Sequence, residues 1–296
     1  MILNENYTLS NSLEIPKLGL GTWMIADDKA PRVIREAVEI GYRHFDTAQA
    51  YGNEQGVGAG VKACGVKRDQ LFITTKLDAG CKTYADAKAR IEGSLATLGM
   101  DYIDLMIIHS PQPWAAFHQG DHYFEGNLEA WRALEEAYTE GKLRAIGVSN
   151  FEEPDLKNLL DHGRIKPMVN QILTHIGSTP LDLIDYTQKQ GILVEAYSPV
   201  AHGKIFESQT LANMATTYKV TIAQICIRYC LQLGLLPLPK TVTPAYMRSN
   251  AMVDFEISGA DMEALKHMAS FNDYGEAGRF PVFGPNKRTK KQISPD

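Results

Sequence analysis

The segment Thr83-Tyr-Ala-Asp-Ala-Lys-Ala-Arg-Ile-Glu-Gly-Ser-Leu-Ala-Thr-Leu-Gly99 runs directly into Met-Asp-Tyr-Ile-Asp-Leu-Met-Ile-Ile-His109. In its first part Tyr84, Ala87, Ile91, Leu95 and Leu98 keep one helical face, and Thr83 with Asp86 has the form of a capping box. Gly99 marks the helix end, because glycine tolerates the left-handed conformation that other residues resist. The run that follows is apolar and mostly unalternating, as a strand buried on both faces should be. The same order recurs along the chain. Gly41 precedes Tyr-Arg-His-Phe-Asp46, and Gly141 precedes Lys-Leu-Arg-Ala-Ile-Gly-Val-Ser149. Gly191 precedes Ile-Leu-Val-Glu-Ala-Tyr-Ser198, and Gly234 precedes Leu-Leu-Pro-Leu-Pro-Lys240. Thr221 with Gln224 repeats the capping pattern, and Thr179-Pro180 predicts a cap followed by proline at the first helical position.

Further runs at Leu18–Thr22, Leu71–Lys76 and Met168–Gln171 bring the strands to eight. Strands alternating with helices imply a parallel sheet. Eight such units predict an α/β fold closed into a (β/α)8 TIM barrel. Ahead of them, Tyr7-Thr-Leu-Ser and Leu13-Glu-Ile around Asn11-Ser12 predict a short N-terminal hairpin capping the barrel bottom. Two segments break the rhythm. One runs from Pro111 to Asn127 with Trp114, Phe117, Tyr123 and Phe124; the other is the tail from Phe271, with Phe280, Phe283 and a basic cluster at Lys287-Arg288 and Lys290-Lys291. Long loops inside a compact domain are usually lids or binding loops, so the tail is expected to form a C-terminal lid loop and its basic cluster a solvated end.

The 296 residues are 44% apolar and 22% charged, which supplies an ample core and fits one domain over residues 1–296. A formal net charge of −5 argues against a nucleic-acid partner. The start, Met1-Ile-Leu-Asn-Glu-Asn-Tyr-Thr-Leu, lacks the pattern of a signal peptide, and no apolar run is long enough to cross a bilayer. Four cysteines are too few for a disulfide scaffold. The expectation is a cytoplasmic protein without membrane contact.

In a parallel barrel the chemistry lies at the carboxyl ends of the strands. Asp46, Lys76 and His109 end the second, third and fourth runs, and Tyr51 lies in the loop above Asp46. Adjacent strands are about 4.8 Å apart, so these side chains can meet. Together they suggest proton transfer by a tuned phenol: a free tyrosine has a pKa near ~10, a buried Lys76 cation would stabilise its phenolate, and Asp46 would hold that lysine charged. His109 would hydrogen-bond a substrate oxygen.

The stretch Asp46-Thr-Ala-Gln-Ala-Tyr51-Gly-Asn-Glu54, with Lys76 in Thr-Thr-Lys-Leu and His109 in Ile-Ile-His-Ser-Pro, strongly resembles the aldo-keto reductases. The likeness covers nearly the whole chain, from Gly19-Leu-Gly-Thr-Trp23 through Gly147-Val-Ser-Asn-Phe151 to Leu238-Pro-Lys-Thr-Val-Thr243. It is greatest to the bacterial small-carbonyl and diketo-gluconate reductases. The resemblance implies a barrel that binds NADP(H) without a Rossmann domain, with secondary use of NAD(H), and reduces aldehydes or ketones. It implies Tyr51 as general acid, Ser149, Asn150 and Gln171 at the nicotinamide carboxamide, Tyr197 stacked on the ring, and Lys240 with Thr241 on the 2′-phosphate. Gly21, Thr22, Asp46, Ser198, Val242, Thr243, Tyr246 and Asn250 complete the implied cofactor set. Trp23, Ser110 and Trp114, with Tyr51 and His109, form the implied substrate wall. Such a site is complete in one chain, which fits a monomer or weak dimer. Three departures stand out: Ser110 where many relatives carry tryptophan, Tyr246 where they place an arginine, and Ser198-Pro-Val-Ala-His-Gly203 in place of their leucine-glycine wording.

Taken singly these residues have plainer roles. Asp46–Lys76 could be a structural ion pair, Tyr197 a core aromatic, His109 a satisfied core histidine and Asn150 a helix cap. Gly56-Val-Gly-Ala-Gly60 is no dinucleotide fingerprint, since its third glycine is misplaced and no strand leads into it. Gly147-Val-Ser149-Asn-Phe151 lacks the last glycine of a nucleophile elbow. His118 and His122 lie in an aromatic loop with Gly120 that disfavours a zinc helix, so no metal site is expected. Cys226 and Cys230 share a helical face and pack as small apolar thiols. A metal-dependent hydrolase would need paired histidines on the first strand, which Leu18-Gly-Leu-Gly-Thr-Trp23 lacks. A reductase fold recruited as a cofactor-binding redox sensor is the other alternative, since fold alone does not fix function.

Overall fold

The computed structural model describes residues 1–271 and 273–284. An antiparallel hairpin of β1 (Asn6–Thr8) and β2 (Glu14–Pro16) precedes the barrel strands β3 (Leu20–Gly21), β4 (His44–Asp46), β5 (Phe72–Leu77) and β6 (Leu105–Ile108). The barrel continues with β7 (Ile146–Ser149), β8 (Val169–Leu173), β9 (Leu193–Tyr197) and β10 (Leu236–Leu238). The helices are α1 (Ala30–Ile40), α2 (Glu54–Ala63), α3 (Tyr84–Leu98), α4 (Phe124–Thr139) and α5 (Glu153–His162). They are followed by α6 (Leu181–Lys189), α7 (Gln209–Tyr218), α8 (Ile222–Gln232), α9 (Pro244–Asn250) and α10 (Gly259–Lys266).

Each barrel strand pairs in parallel with the next, from β3 to β10. The seam between last and first is closed by Gly19 N–H to Pro237 O at 3.3 Å and Gly21 N–H to Pro239 O at 3.1 Å. The eight runs expected from the sequence are therefore the eight staves. Gly41, Gly99, Gly141, Gly191 and Gly234 all carry positive φ, between 64° and 118°. The hairpin caps the bottom as expected: Tyr7 donates to Leu235 O and Asn11 to Arg144 O, both just ahead of strands, while Ile15 is fully buried.

Three local expectations need adjustment. Helix α6 starts at Leu181 rather than at Pro180, because the Thr179 hydroxyl is committed to His175 O and Tyr229 Oη and does not cap. Helix α4 begins at Phe124, inside the segment expected to be loop, with Tyr123 left-handed ahead of it. The reason is Asn127: buried in the first turns, it donates to Pro111 O and His122 O and so ties both ends of the aromatic loop to the helix. The Asn150 side chain is no helix cap, since Glu152 and Asp155 cap α5 as a reciprocal box. The glycines of Gly56-Val-Gly-Ala-Gly60 serve packing. A Cβ on Gly56 would stand 2.0 Å from Asp27 O, and one on Gly58 2.0 Å from Leu98 O.

Above the barrel, turns at Gly275–Arg279 and Pro281–Phe283 lay Phe280 and Phe283 against Trp23, with ring centroids 5.0 and 5.9 Å away. This is the expected C-terminal lid. The basic cluster at Lys287-Arg288 and Lys290-Lys291 lies outside the described residues. Among the described residues no helix is long and apolar enough to cross a membrane.

Candidate active site

The parallel register delivers Asp46, Lys76 and His109 to one end of the barrel, at the last turns of β4 to β6. Lys76 Nζ meets Asp46 Oδ1 at 2.5 Å and Thr47 O at 2.8 Å, with both side chains almost wholly buried. The next loop folds Gln49–Tyr51 into a 3-10 turn that carries the phenol back over the pair, so that Lys76 Nζ lies 4.8 Å from the Tyr51 ring centroid. That turn is held from outside. Gln49 accepts from Asp78 N–H and donates to Arg90 O and Ser94 Oγ, while buried Asn53 donates to Thr22 O and Ile25 O. The Tyr51 and His109 rings meet edge-on at 5.6 Å, and Trp114 packs edge-on against the other side of His109 at 5.0 Å.

The electrostatics differ in one respect from the sequence expectation. Burial pushes the Tyr51 phenol up and outweighs the Lys76 cation, which pulls it down; Asp46 adds to the upward push. The phenol therefore keeps its proton, which is the state a general acid needs. Burial also works against the Lys76 charge, but Asp46 and Tyr51 together hold its pKa above the usual lysine range. His109 is driven well below its ordinary range, by burial first and the Lys76 cation second, so it is a neutral imidazole. Its Nδ1 is buried without a partner. Orphaned buried N–H groups are rarer than under-satisfied acceptors, so the tautomer assigned is the one with the proton on Nε2, which leaves a donor for a substrate oxygen.

Beside this group Asn150, left-handed at φ 61°, donates to His109 O at 3.0 Å and accepts from Tyr197 Oη at 2.7 Å. Ser149 donates to Gln171 O, and Gln171 Nε2 donates to Asp46 Oδ2. The side chains of Asp46, Lys76, Tyr51, His109, Ser149, Asn150, Gln171 and Tyr197 thus lie together as one connected group. A cavity of about 910 Å³ opens above it, and its lining includes Tyr51, His109, Trp23 and Trp114 as well as Lys240, Thr241, Tyr246 and Asn250. Gly21, Asp46, Ser149, Asn150, Gln171, Tyr197 and Ser198 line it too.

Five of the expected residues stand back from that surface. Lys76 lies behind Asp46 and Tyr51. Thr22 is fully buried and donates to Asp46 O, supporting the strand end. Ser110 is fully buried; its hydroxyl accepts from Gln112 N–H and its carbonyl from Lys82 Nζ, so it anchors the aromatic loop and Trp114 fills the wall instead. Val242 and Thr243 are exposed and absent from the lining, with Thr243 at the N-cap position of α9 but making no side-chain capping bond. His122 is paired with Asp155 at 2.7 Å. The sequence reading missed Asn53 and Gln49 as supports for the Tyr51 turn, and it missed the buried carboxylate Glu195. The signal for Glu195 was available: an acidic residue in a strand otherwise reading as buried on both faces. It also gave no role to His202. That ring touches Trp23 and Phe283 and bonds Ser198 Oγ, while burial first depresses its pKa to about 4.

The aldo/keto reductase family model matches residues 17–270. The chain belongs to the aldo/keto reductase family. Among curated members it is 39% identical over 265 residues to glyoxal reductase of Bacillus subtilis, covering 89% of this chain and 92% of that protein. It is also 39% identical over 254 residues to methylglyoxal reductase DkgA of Yersinia pestis, covering 85% and 88%. Among solved structures, the Bombyx mori aldo-keto reductase in complex with NADP superposes with a TM-score of 0.82 at 30% identity, over 94% of this chain and 98% of that one.

The donor set fits a phosphorylated nicotinamide dinucleotide. The cavity lining offers amide and hydroxyl groups from Ser149, Asn150 and Gln171. The same lining offers Lys240, exposed and without a carboxylate partner among the described residues. An unpaired cation in a cavity is what a phosphate requires. The family's NADP(H) chemistry thus has matching residues in this reductase.

Proposed function

We propose that this aldo/keto reductase is an NADPH-dependent reductase of small aldehydes and ketones, including dicarbonyls and keto-sugars. The observation that carries the reading is the arrangement of Tyr51, Lys76, Asp46 and His109 beneath a cavity whose lining also holds Lys240, which has no carboxylate partner among the described residues. When bound, the cofactor supplies the hydride. Ser149, Asn150 and Gln171 orient its carboxamide, Tyr197 backs its ring, and Lys240 with Thr241 holds its phosphate. His109 Nε2–H and the Tyr51 hydroxyl hydrogen-bond the carbonyl oxygen where negative charge develops. Tyr51 then delivers its proton to that oxygen, and Lys76, fixed by Asp46, stabilises the phenolate that remains. The overall balance is one hydride to carbon and one proton to oxygen. A cytoplasmic monomer or weak dimer belongs to the same proposal, because one chain supplies every group. Consumption of NADPH across a panel of glyoxal, methylglyoxal, aromatic aldehydes and keto-sugars tests it. Quenching of protein fluorescence by NADPH with no turnover on any carbonyl would favour the sensor role.

Trp114 is expected to set substrate size. It packs on His109 from a loop pinned by Asn127 and Gln112, so Trp114→Ala should leave the rest of the site in place. KM for bulky aromatic aldehydes should rise on the order of tenfold, with a smaller change for methylglyoxal. Equal losses for small and large carbonyls would contradict that role.

Cofactor choice rests on Lys240 and Tyr246. Tyr246 is 64% exposed at the cavity rim, and Arg248, two residues on, is absent from the lining. A hydrogen bond to a charged group contributes about 1.5–3 kcal/mol, and the neutral phenol replaces only part of what an arginine would give. The expected preference for NADPH over NADH is therefore real but moderate. Tyr246→Arg should widen the ratio of kcat/KM values and Lys240→Ala should narrow it, each on the order of tenfold. A wild type preferring NADH, or a ratio indifferent to both changes, would overturn this assignment.

A further inference from the structure

Below the nicotinamide-facing residues the barrel holds a second carboxylate that the reaction above does not use. Glu195 lies opposite Gln171 in the β8–β9 register and two residues before Tyr197, with no exposed surface. Gln171 Nε2 donates to Glu195 Oε2 at 2.8 Å and to Asp46 Oδ2 at 2.9 Å. A side-chain amide has two N–H groups, and the two carboxylates take one each. Gln171 is thereby turned with its carbonyl oxygen as the atom left for the cavity it lines. The other Glu195 oxygen, Oε1, is buried with no partner.

Two carboxylates share one amide here, and the nearby cation, Lys76, is already bound to Asp46. The other neighbours supply no charge. Tyr51 and Tyr197 keep their protons, and His44 and His109 are held neutral by burial. Strand β10 places apolar Leu236 beside Glu195, and helix α6 behind β9 pairs Lys189 with Asp185 on its exposed face. Burial first, and the Asp46 charge second, push the Glu195 carboxyl up to about 8. At neutral pH Glu195 therefore keeps its proton beside the Lys76–Asp46 ion pair.

The geometry points to Glu195 as a positioning residue that does two things. It fixes the Gln171 amide for the carboxamide, and it gives up its proton to solvent when oxidised nicotinamide binds. This rests on the NADP(H) reading above. The oxidised ring carries a positive charge that the reduced ring lacks, so an ionised carboxylate held behind the lining residue Gln171 is favoured more with the oxidised form than with the reduced one. By reciprocity, raising the pH must tighten NADP⁺. The sign follows from the free-protein value. Below about 8, binding of NADP⁺ releases a proton and affinity climbs with pH; above it Glu195 is already ionised and the climb stops. The 2′-phosphate also titrates, with a pKa near ~6, but both redox forms carry it and it cancels in their ratio.

The test is nucleotide binding, followed by quenching of tryptophan fluorescence from about pH 6.5 to about pH 9, with calorimetry in two buffers of different ionisation enthalpy to count protons. In the wild type, Kd for NADP⁺ divided by Kd for NADPH should fall on the order of tenfold as pH rises, and NADP⁺ should release a fraction of a proton that NADPH does not. Glu195→Gln should flatten the ratio and abolish the difference in proton release. Glu195→Leu, which removes the acceptor for Gln171, should weaken both nucleotides about fivefold. A flat wild-type ratio with equal proton counts would overturn the proposal without any variant. So would a Glu195→Gln protein that keeps the slope, since another group would then be titrating. Wild-type affinity in Glu195→Leu would overturn the positioning role. Failure of the wild type to bind either nucleotide would instead overturn the cofactor reading itself, and this proposal with it.

Discussion

Tyr51→Phe should bind NADPH as the wild type does and lose turnover by a factor on the order of 10²–10⁴. The substitution removes one hydroxyl from a ring whose position is fixed by other groups: the 3-10 turn held through Gln49 and Asn53, and the edge-on contact with His109. Volume and packing are nearly unchanged, so the loss reports what the hydroxyl does for the carbonyl oxygen, its hydrogen bond and its proton together. Burial keeps the wild-type phenol protonated through neutrality, and so kcat should not collapse for want of a proton at mildly alkaline pH. Fluorescence titration with NADPH and steady-state kinetics with methylglyoxal check the two halves. A variant with near-normal kcat would show that Tyr51 is not the acid.

Lys76→Met should be the most damaging single change, because it acts on stability and chemistry together. Asp46 is only 3% exposed, and removing its cation leaves a buried carboxylate with Gln171 as its main remaining donor. Breaking a buried ion pair from one side typically costs about 3–5 kcal/mol, which in a chain of this size lowers Tm by roughly 10 °C. Activity should fall as far as in Tyr51→Phe, since the phenolate loses its stabilising charge. The double variant Asp46→Asn, Lys76→Met should recover much of the Tm and none of the activity. An active Lys76→Met protein with an unchanged pH profile would remove the lysine from the mechanism.

The barrel was legible because its signals are local. A helical stripe, a left-handed glycine and a short apolar run each report on a few residues, and five repeats of that order with three further apolar runs leave little choice of fold. That Asp46, Tyr51, Lys76 and His109 come together was legible because strand ends in such a barrel share one face. What escaped depended on contacts between residues far apart in sequence. Nothing around Ser110 shows that its hydroxyl turns away to Gln112, and nothing near Phe124 shows that Asn127 draws the loop into a helix. Thr179 looked like a cap until Tyr229, fifty positions away, claimed its hydroxyl. The downward pull of Lys76 on Tyr51 was foreseen, but the larger effect of burial was not, because burial belongs to the assembled lattice.

The two hydrogen bonds from Gly19 and Gly21 to the carbonyls of Pro237 and Pro239 give the chain a timetable. As the protein is made, β4 to β9 can pair in order as they appear, yet β3 has no neighbour on its open side until β10 is complete. Gly21 and Lys240 flank that seam: a Cβ on Gly21 would stand 3.7 Å from the Lys240 Cβ. On the proposed cofactor reading, Ser149, Asn150, Gln171 and Tyr197 lie on or just beyond strands that can pair before the seam closes, whereas Lys240 is set beside Gly21 only once β10 is in place. Tight nucleotide capture is then expected of the closed barrel and not of a nascent or nicked chain with an open seam.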